Sequence, residues 1–157
     1  MKKIIILIPV FNDWDSLKKL LEEINDNIKD FKDINFECLI VNDASTADRP
    51  KLIKPTNIKI FEILNMKKNR GHARCNAFGI RHVFENKQFD NLILMDGDGE
   101  DRPVEIKNLL TTINEKPNVS VVAKRVKRSE GLFFQFLYQV HKLITIIFTG
   151  KKINRRN

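Results

Sequence analysis

The sequence has few cysteines and no arrangement of them that suggests a metal site or a disulfide framework. Only Cys38 and Cys75 occur among the 157 residues, far apart and without a Cys-x-x-Cys pair. We interpret them as reduced, partly buried thiols of a cytosolic protein. Internal repeats, low-complexity tracts and linkers are also missing. With 42% hydrophobic residues, the chain is expected to form one domain with a substantial core.

The N-terminus lacks the features of a secretory signal. Met1-Lys2-Lys3 and the following apolar run resemble one superficially, but the run is short, contains Pro9 and precedes no small-residue cleavage site. We therefore interpret this run as a first strand. No Gly-x-Gly-x-x-Gly follows it, which argues against a nucleotide-binding dehydrogenase.

The net charge of +8 is unevenly placed along the chain. Residues 1 to 123 hold 19 Lys and Arg against 19 Asp and Glu, whereas residues 124 to 157 hold nine basic residues and only Glu130 as an acid. Such a basic segment suits nucleic acid, an anionic membrane or a phosphorylated substrate. Nucleic acid is the least supported of these, because the chain lacks a recognition motif and the interleaved aromatic and basic residues of single-strand binders.

Apolar runs alternate with helical patterns along the chain. Strands are predicted at 3–10, 36–41, 58–64, 92–95 and 119–123. Helices are predicted at 14–28, after the turn at Asn69-Arg70-Gly71, and from Pro103 to Ile113. The buried face of the second helix is predicted to be Ala73, Ala77, Ile80 and Phe84. This alternation indicates an α/β protein with a mostly parallel sheet and helices on both faces.

The segment from Leu132 to Phe148 differs in kind from the rest. It is strongly apolar except for a narrow polar stripe of Gln135, Gln139 and Lys142. A helix of this pattern, flanked by basic clusters, suits the interface of a bilayer better than a membrane span. An ordinary core helix is the alternative.

The run from Leu92 to Pro103 joins a buried strand to a cluster of acids and glycines. Asp96 and Asp98 are two residues apart, so on extended backbone they point the same way and could reach one divalent cation. A solvated turn is the simplest alternative. A helix-loop-helix calcium site does not fit, because Asp101 stands at the sixth position and Lys107 at the twelfth. Helix capping explains Asp101 but neither Asp96 nor Asp98.

Polar residues follow three of the predicted strands, at Pro9-Val10-Phe11-Asn12-Asp13, Asn42-Asp43-Ala44-Ser45-Thr46 and Asp96-Gly97-Asp98. With Asn69-x-Gly71 and Gly79, they resemble the inverting glycosyltransferases of the GT-A fold. The chain looks most like the polyprenyl-phosphate glycosyltransferases, which include dolichyl-phosphate mannose synthases. The resemblance implies that residues 1–130 form a three-layer, Rossmann-like GT-A domain that binds a nucleotide sugar. It implies that residues 131–157 form an amphipathic interface helix and a basic tail, which together are an incomplete acceptor region.

The resemblance also implies roles for individual residues. The implied nucleotide-binding residues are Pro9, Val10, Phe11, Asp13, Asp43, Ser45, Asn69, Gly71 and Asp96. The implied ligands of a Mg²⁺ or Mn²⁺ ion are Asp96, Asp98 and Glu100. Asp98 is the expected principal metal ligand. The expected catalytic residues are Asp98, Arg125 and Arg128, with the two arginines near the donor or acceptor phosphates. Asn42 and Ala44 depart from the family's Asp-Asp-Gly-Ser motif, so the choice of nucleotide is not predicted.

The implied activity is metal-dependent transfer of a sugar, with inversion, from a nucleoside diphosphate sugar to a polyprenyl phosphate or other glycan acceptor. Such an enzyme would serve cell envelope glycan biosynthesis. We expect it to be cytoplasmic and peripheral at the cytoplasmic face of an anionic membrane, without a nucleic-acid partner. Family members usually continue well beyond this point, so the chain is expected to be C-terminally truncated. A non-catalytic nucleotide-sugar-binding remnant is the alternative.

Overall fold

The computed structural model describes residues 1–116 and 119–123. The strands are β1 (Lys2–Val10), β2 (Ile34–Asn42), β3 (Ile58–Asn65) and β4 (Asn91–Leu94). The helices are α1 (Trp14–Ile28), α2 (His72–Asn86) and α3 (Ile106–Glu115), the last preceded by a 3₁₀ turn at Pro103–Glu105. The first four predicted strands and all three predicted helices are confirmed, with ends that differ by a few residues.

The strands form one parallel sheet in the order β3-β2-β1-β4. The central strand β1 pairs along its whole length with β2 and through Ile4–Leu7 with β4. Because every strand runs in the same direction, all four carboxyl ends lie at one edge of the sheet, which we call the ligand edge.

The core has two layers, one on each face of the sheet. Even-numbered residues of β1, such as Ile4, Ile6 and Ile8, pack with α1 and α3, while Ile5 and Leu7 face α2. Residues 4 to 8 are all fully buried, because successive side chains of a strand alternate between two covered faces. The predicted α/β architecture with helices on both faces is confirmed.

The predicted buried face of α2 is wrong. The structure buries Cys75, Gly79 and Val83 against the sheet and leaves the predicted set of Ala73, Ala77, Ile80 and Phe84 exposed. A Cβ added to Gly79 would lie 2.4 Å from Leu7 Cδ1 and 2.8 Å from Val41 Cγ2. The absence of a side chain at Gly79 therefore lets α2 lie close to the sheet. Side chains of the sheet fill the space between them.

The strand predicted at 119–123 is also wrong, since these residues have no regular structure. A strand forms only where its backbone groups find a partner, and within the described residues β4 pairs with β1 alone. The apolar pattern of Val119 to Ala123 therefore predicted a partner strand that does not form.

The chain divides into two compact units, Met1–Val121 and Val122–Asn157. The sheet and its three helices belong to the first unit. Of the second, only Val122 and Ala123 are described, so the predicted boundary at residue 130 and the predicted helix from Leu132 to Phe148 lie outside the described residues. Among the helices that the structure describes, none is long and apolar enough to cross a bilayer.

Replacing Gly79 by Ala should destabilise the protein. Overpacking against Leu7 and Val41 costs about 1–3 kcal/mol, and better helix propensity returns only about 1 kcal/mol, so we expect a net loss of roughly 1 kcal/mol. Urea unfolding measures this change. Ala77→Leu, on the exposed side of the same helix, is the control and should change the free energy of unfolding little. A Gly79→Ala protein more stable than wild type would contradict the close helix-sheet contact.

Candidate functional site

A pocket of about 210 Å³ opens at the ligand edge, between the ends of β1 and β4 and the first turn of α2. Its walls come from three separate parts of the chain. The lining residues are Pro9, Val10, Phe11, Asp13, His72, Asp96, Gly97 and Asp98. Six of the residues implied as nucleotide or metal ligands are thus brought together: Pro9, Val10, Phe11, Asp13, Asp96 and Asp98.

The acidic loop after β4 lies directly against the end of β1. Met95 donates its N–H to Leu7 O at 3.1 Å, so the backbone pairing runs one residue past the strand. A Cβ on Gly97 would lie 2.6 Å from Pro9 O, which leaves no room for a side chain. Gly97 therefore allows the two aspartates beside it to be carried to the pocket wall.

Hydrogen bonds within this loop fix the backbone that carries the aspartates. Asp101 accepts the N–H of Asp96 at 2.8 Å through Oδ2, and Asp98 accepts the N–H of Glu100 at 2.9 Å through Oδ1. Asp101 is thus engaged in holding the loop. Glu100 is exposed and does not line the pocket, so its predicted role as a metal ligand stays a prediction.

The carboxylates of Asp96 and Asp98 are of the kind that suits Mg²⁺ or Mn²⁺. Within residues 1–116 and 119–123, no group of three or more His, Cys, Asp or Glu side chains is arranged to hold a metal ion by itself. Magnesium, however, is usually held by one or two carboxylates together with substrate phosphates and water. The two pocket aspartates therefore fit an ion that arrives with a diphosphate, and do not fit a closed protein cage.

The loop after β1 forms the opposite wall. Asp13 accepts the N–H of Ser16 at 3.3 Å and so caps α1, as the sequence predicted, while it also lines the pocket. Phe11 also lines the pocket and is 46% exposed. An apolar ring at this position offers a surface on which a flat ligand group could stack.

Asn12 was missed by sequence reasoning, although it binds two loops of the site together. Its side-chain oxygen accepts the N–H groups of Thr46 at 2.7 Å and Ala47 at 2.9 Å, and its own N–H donates to Ser45 Oγ at 2.9 Å. Its φ of +60° is a conformation that asparagine tolerates better than most residues. An Asn just after a strand was the available signal.

Ser45 lies within this same network and does not line the pocket. Besides accepting from Asn12, it donates its N–H to Asn42 Oδ1 at 2.9 Å. The neighbouring Ala44 has a φ of +57°, where the family motif has glycine. The loop therefore keeps a left-handed turn at the expense of some backbone strain.

Asp43 is buried, with only 3% of its surface exposed, and does not line the pocket. Its two carboxylate oxygens accept the N–H groups of Arg70 and Gly71, each at 2.8 Å. Asn69 also accepts the N–H of Gly71, at 3.0 Å, and Gly71, with a φ of +83°, is the cap residue directly before α2. Asp43, Asn69 and Gly71 thus form a tether that fixes the first turn of α2 beside the pocket.

His72, the first residue of α2, was also missed. Its Nε2 lies 3.4 Å from Asp96 Oδ1 and 3.0 Å from Asn76 Nδ2. In one tautomer this nitrogen accepts from the Asn76 amide, and in the other it donates to the Asp96 carboxylate. The imidazole presents a hydrogen-bond donor next to the acidic loop in the second tautomer. Its place directly after the Asn69-x-Gly71 turn was the signal that could have identified it.

Neither cysteine has the properties of a reactive thiol. Burial raises the pKa of Cys75 to about 11, with a further contribution from the charge of Asp43. Burial also raises the pKa of Cys38 far above its usual range. Both are free thiols inside the core, and the sulfur of Cys75 lies 3.4 Å from Val41 O. They pack the sheet and take no part in the site.

Arg125 and Arg128 lie outside the described residues, so their expected place near the phosphates stays a prediction.

Comparison with known proteins agrees with this geometry. The profile of glycosyl transferase family 2 matches residues 5–157. The undecaprenyl-phosphate 4-deoxy-4-formamido-L-arabinose transferase of Proteus mirabilis is 29% identical over 136 residues, which cover 85% of this chain and 40% of that protein. The enzyme of the same name from Yersinia enterocolitica is 27% identical over 154 residues, covering 98% and 46%. The chain thus spans less than half the length of these relatives.

Solved structures show the same fold. A mannosyltransferase of Pyrobaculum calidifontis in complex with GDP-Man and Mn²⁺ superposes with a TM-score of 0.60 at 17% identity, covering 78% of this chain and 35% of that one. TarS (1-349) of S. aureus superposes with a TM-score of 0.56 at 17% identity, covering 79% and 39%. The expected three-layer GT-A fold is confirmed. Since the family profile covers nearly the whole sequence, the chain belongs to glycosyl transferase family 2.

Proposed function

We propose that this chain binds a nucleoside diphosphate sugar with a divalent metal ion and takes part in transferring the sugar, with inversion, to a lipid phosphate. The observation that carries the proposal is the convergence of Asp96, Asp98 and His72 on one pocket at the ligand edge. Membership of the family supports a sugar donor, and relatives that are named for undecaprenyl phosphate support a lipid phosphate as acceptor.

The diphosphate is expected to lie over the acidic loop. When bound, Mg²⁺ or Mn²⁺ would neutralise charge that builds on the departing diphosphate. Asp96 and Asp98 would hold the ion, with Glu100 as the further ligand expected from the sequence. Without a cation, two pocket carboxylates would repel a diphosphate, so binding should depend on metal.

The nucleoside is expected beside the β1 loop. Pro9, Val10, Phe11 and Asp13 form that wall, and the Phe11 ring offers the apolar surface that a base requires. Asp43, Ser45, Asn69 and Gly71 would contribute by fixing the two neighbouring loops through the hydrogen bonds described above. His72 could donate a hydrogen bond to a phosphate oxygen beside the metal site.

A phosphate acceptor needs little help from a general base, because it is already ionised near neutral pH. Attack by that oxygen on the side of the sugar opposite the diphosphate inverts the configuration in one step. Arg125 and Arg128 would add positive charge near the donor or acceptor phosphates. The basic segment from Lys124 onward would hold the protein reversibly at the cytoplasmic face of an anionic membrane, in cell envelope glycan biosynthesis.

A non-catalytic nucleotide-sugar-binding protein is the second candidate, since the convergence of residues on the pocket supports ligand binding without by itself supporting turnover. It would bind the same ligand at the same pocket but would not turn it over. Turnover of a nucleotide sugar, measured beside binding, distinguishes the two.

Removing the Asp98 carboxylate should abolish the metal-dependent part of nucleotide affinity. We expect Asp98→Ala to weaken binding of the tightest nucleoside diphosphate in a UDP, GDP, CDP and ADP panel at least tenfold in Mn²⁺, about 1.4 kcal/mol. Calorimetry with Mn²⁺ and with chelator measures this. Asp26→Ala, on the exposed side of α1, is the control and should bind like wild type. Wild-type binding that is insensitive to chelator would contradict the metal site.

Replacing Asp43 by Asn should weaken the tether that positions α2. The two N–H groups bond to different carboxylate oxygens, and asparagine carries an NH2 group in place of one of them. One bond is therefore lost, and the free energy of unfolding should fall by about 1.5–3 kcal/mol. Nucleotide affinity should fall with it, because the loops beside the pocket lose their anchor. The measurements are urea unfolding and calorimetry on the same protein at a temperature where it stays folded. A stability loss with unchanged affinity would reduce Asp43 to a structural residue.

A further inference from the structure

Helix α2 carries a second apolar surface on the side away from the sheet. Ala73, Ala77, Ile80 and Phe84 follow one another at intervals of four, three and four residues, so they lie along one side of the helix. We call them the outer stripe. Phe84 is 80% exposed and Ile80 is 39% exposed. The sheet side of the same helix is occupied by Cys75, Gly79 and Val83.

The outer stripe is unusual for this protein as well as for soluble helices. The outer side of α1, which packs on the opposite face of the sheet, exposes charged residues: Lys18, Lys19, Glu22, Glu23 and Asp26. An ordinary solvent-facing helix has that composition. Contiguous exposed apolar side chains instead mark a surface that another partner covers.

The sequence that carries the outer stripe is rich in basic residues. Residues 67 to 84 contain five Lys and Arg and no Asp or Glu, although residues 1 to 123 as a whole are balanced. The five are Lys67, Lys68, Arg70, Arg74 and Arg81, and all are exposed. The first acid beyond them, Glu85, pairs with Arg81 at 2.9 Å. Arg74 and Arg81 belong to α2 itself, and Lys67, Lys68 and Arg70 lie in the loop just before it. We call these five residues the basic rim.

An anionic bilayer matches both properties at once. A helix with an apolar side and basic neighbours lies in the lipid interface, where the apolar side chains enter the acyl boundary and the basic groups meet lipid phosphates. Arginine side chains beside the stripe can extend their charged ends to the headgroups while their stems pack on lipid. Nucleic acid would use the basic rim but gives no reason for exposed Phe84 and Ile80.

We propose that the outer stripe of α2 and its basic rim form a membrane-docking surface for anionic lipid. The inference that this surface contacts lipid depends only on its exposed residues. The purpose of the contact rests on the proposed function, since the N-terminal end of α2 carries His72 and borders the pocket. Docking through α2 would therefore hold the pocket close to a lipid phosphate, which cannot leave the bilayer.

The test places a fluorescent probe on the outer stripe of the full chain. Phe84→Trp is the probe, and Ile53→Trp is its matched control, because Ile53 is exposed to almost the same extent, 79% against 80%. The vesicles contain phosphatidylglycerol and phosphatidylcholine, or phosphatidylcholine alone, each with and without brominated acyl chains. We expect a blue shift and bromine quenching for Trp at position 84 on anionic vesicles, and neither at position 53.

Charge reversal tests the basic rim separately. The double variant Lys67→Glu with Lys68→Glu should weaken co-sedimentation with anionic vesicles by at least roughly fivefold for each lysine replaced. Lys18→Glu with Lys19→Glu, an exposed lysine pair on α1, is the control and should weaken it much less. Phe84→Ser should weaken it about tenfold, as expected for losing the insertion of a phenylalanine.

Three results would overturn the proposal. One is vesicle binding in which Trp at position 84 is neither shifted nor quenched, which would assign the contact to another part of the chain. Another is absence of any preference for anionic vesicles. The third is a concentration-dependent shift without vesicles that Phe84→Ser abolishes, which would make the outer stripe a contact between copies. Nucleotide binding by the same variants should stay as in wild type, so failure here is distinguishable from failure of the donor site.

Discussion

Parallel pairing of β1 with a strand on each side is the constraint on which the site depends. Because β1, β2 and β4 run in the same direction, the loops that follow them must emerge at the same edge. The centre of β1 is fully buried, so it can carry only apolar side chains, and polar groups collect at the strand ends. The position of the pocket is therefore a direct consequence of the sheet, and the first turn of α2 adds His72 to its wall.

Side chains directed at backbone groups then fix the loops. Asn12 binds the loop after β2, Asp43 binds the turn before α2, and Asp101 binds the backbone of Asp96. These three residues are used for positioning. The carboxylates of Asp96 and Asp98 line the pocket that these fixed loops surround.

The fold was predictable because its signals are local. Long β-branched runs alternating with helical periodicity determined four strands, three helices and the parallel sheet. The buried face of α2 was not predictable, because apolar residues occur on two of its sides. Periodicity cannot show that the side with Gly79, which has the smaller side chains, packs on the sheet. The strand at 119–123 failed for a related reason: its apolar pattern is strand-like, but a strand also requires a partner.

The site was predictable where residue type determines the chemistry. Carboxylates at Asp96 and Asp98, and Asp13 at a helix start, lie where the sequence placed them. Asn12 and His72 were missed, since their roles depend on contacts between distant loops that no short motif shows. Asp43 was identified as a site residue, but its burial and its two backbone bonds are visible only in the folded chain.

Turnover of nucleotide sugars tests the proposed sugar transfer most directly. Purified chain would be incubated with UDP-, GDP- and CDP-linked sugars, with and without undecaprenyl phosphate in anionic vesicles, in Mn²⁺ or in chelator, and the released nucleotide would be measured. We expect release that requires Mn²⁺, increases with the lipid phosphate and disappears in Asp98→Ala. Release that persists in chelator, or is equal in Asp98→Ala, would contradict it, and metal-dependent binding without release would leave a nucleotide-sugar-binding protein in place of an enzyme.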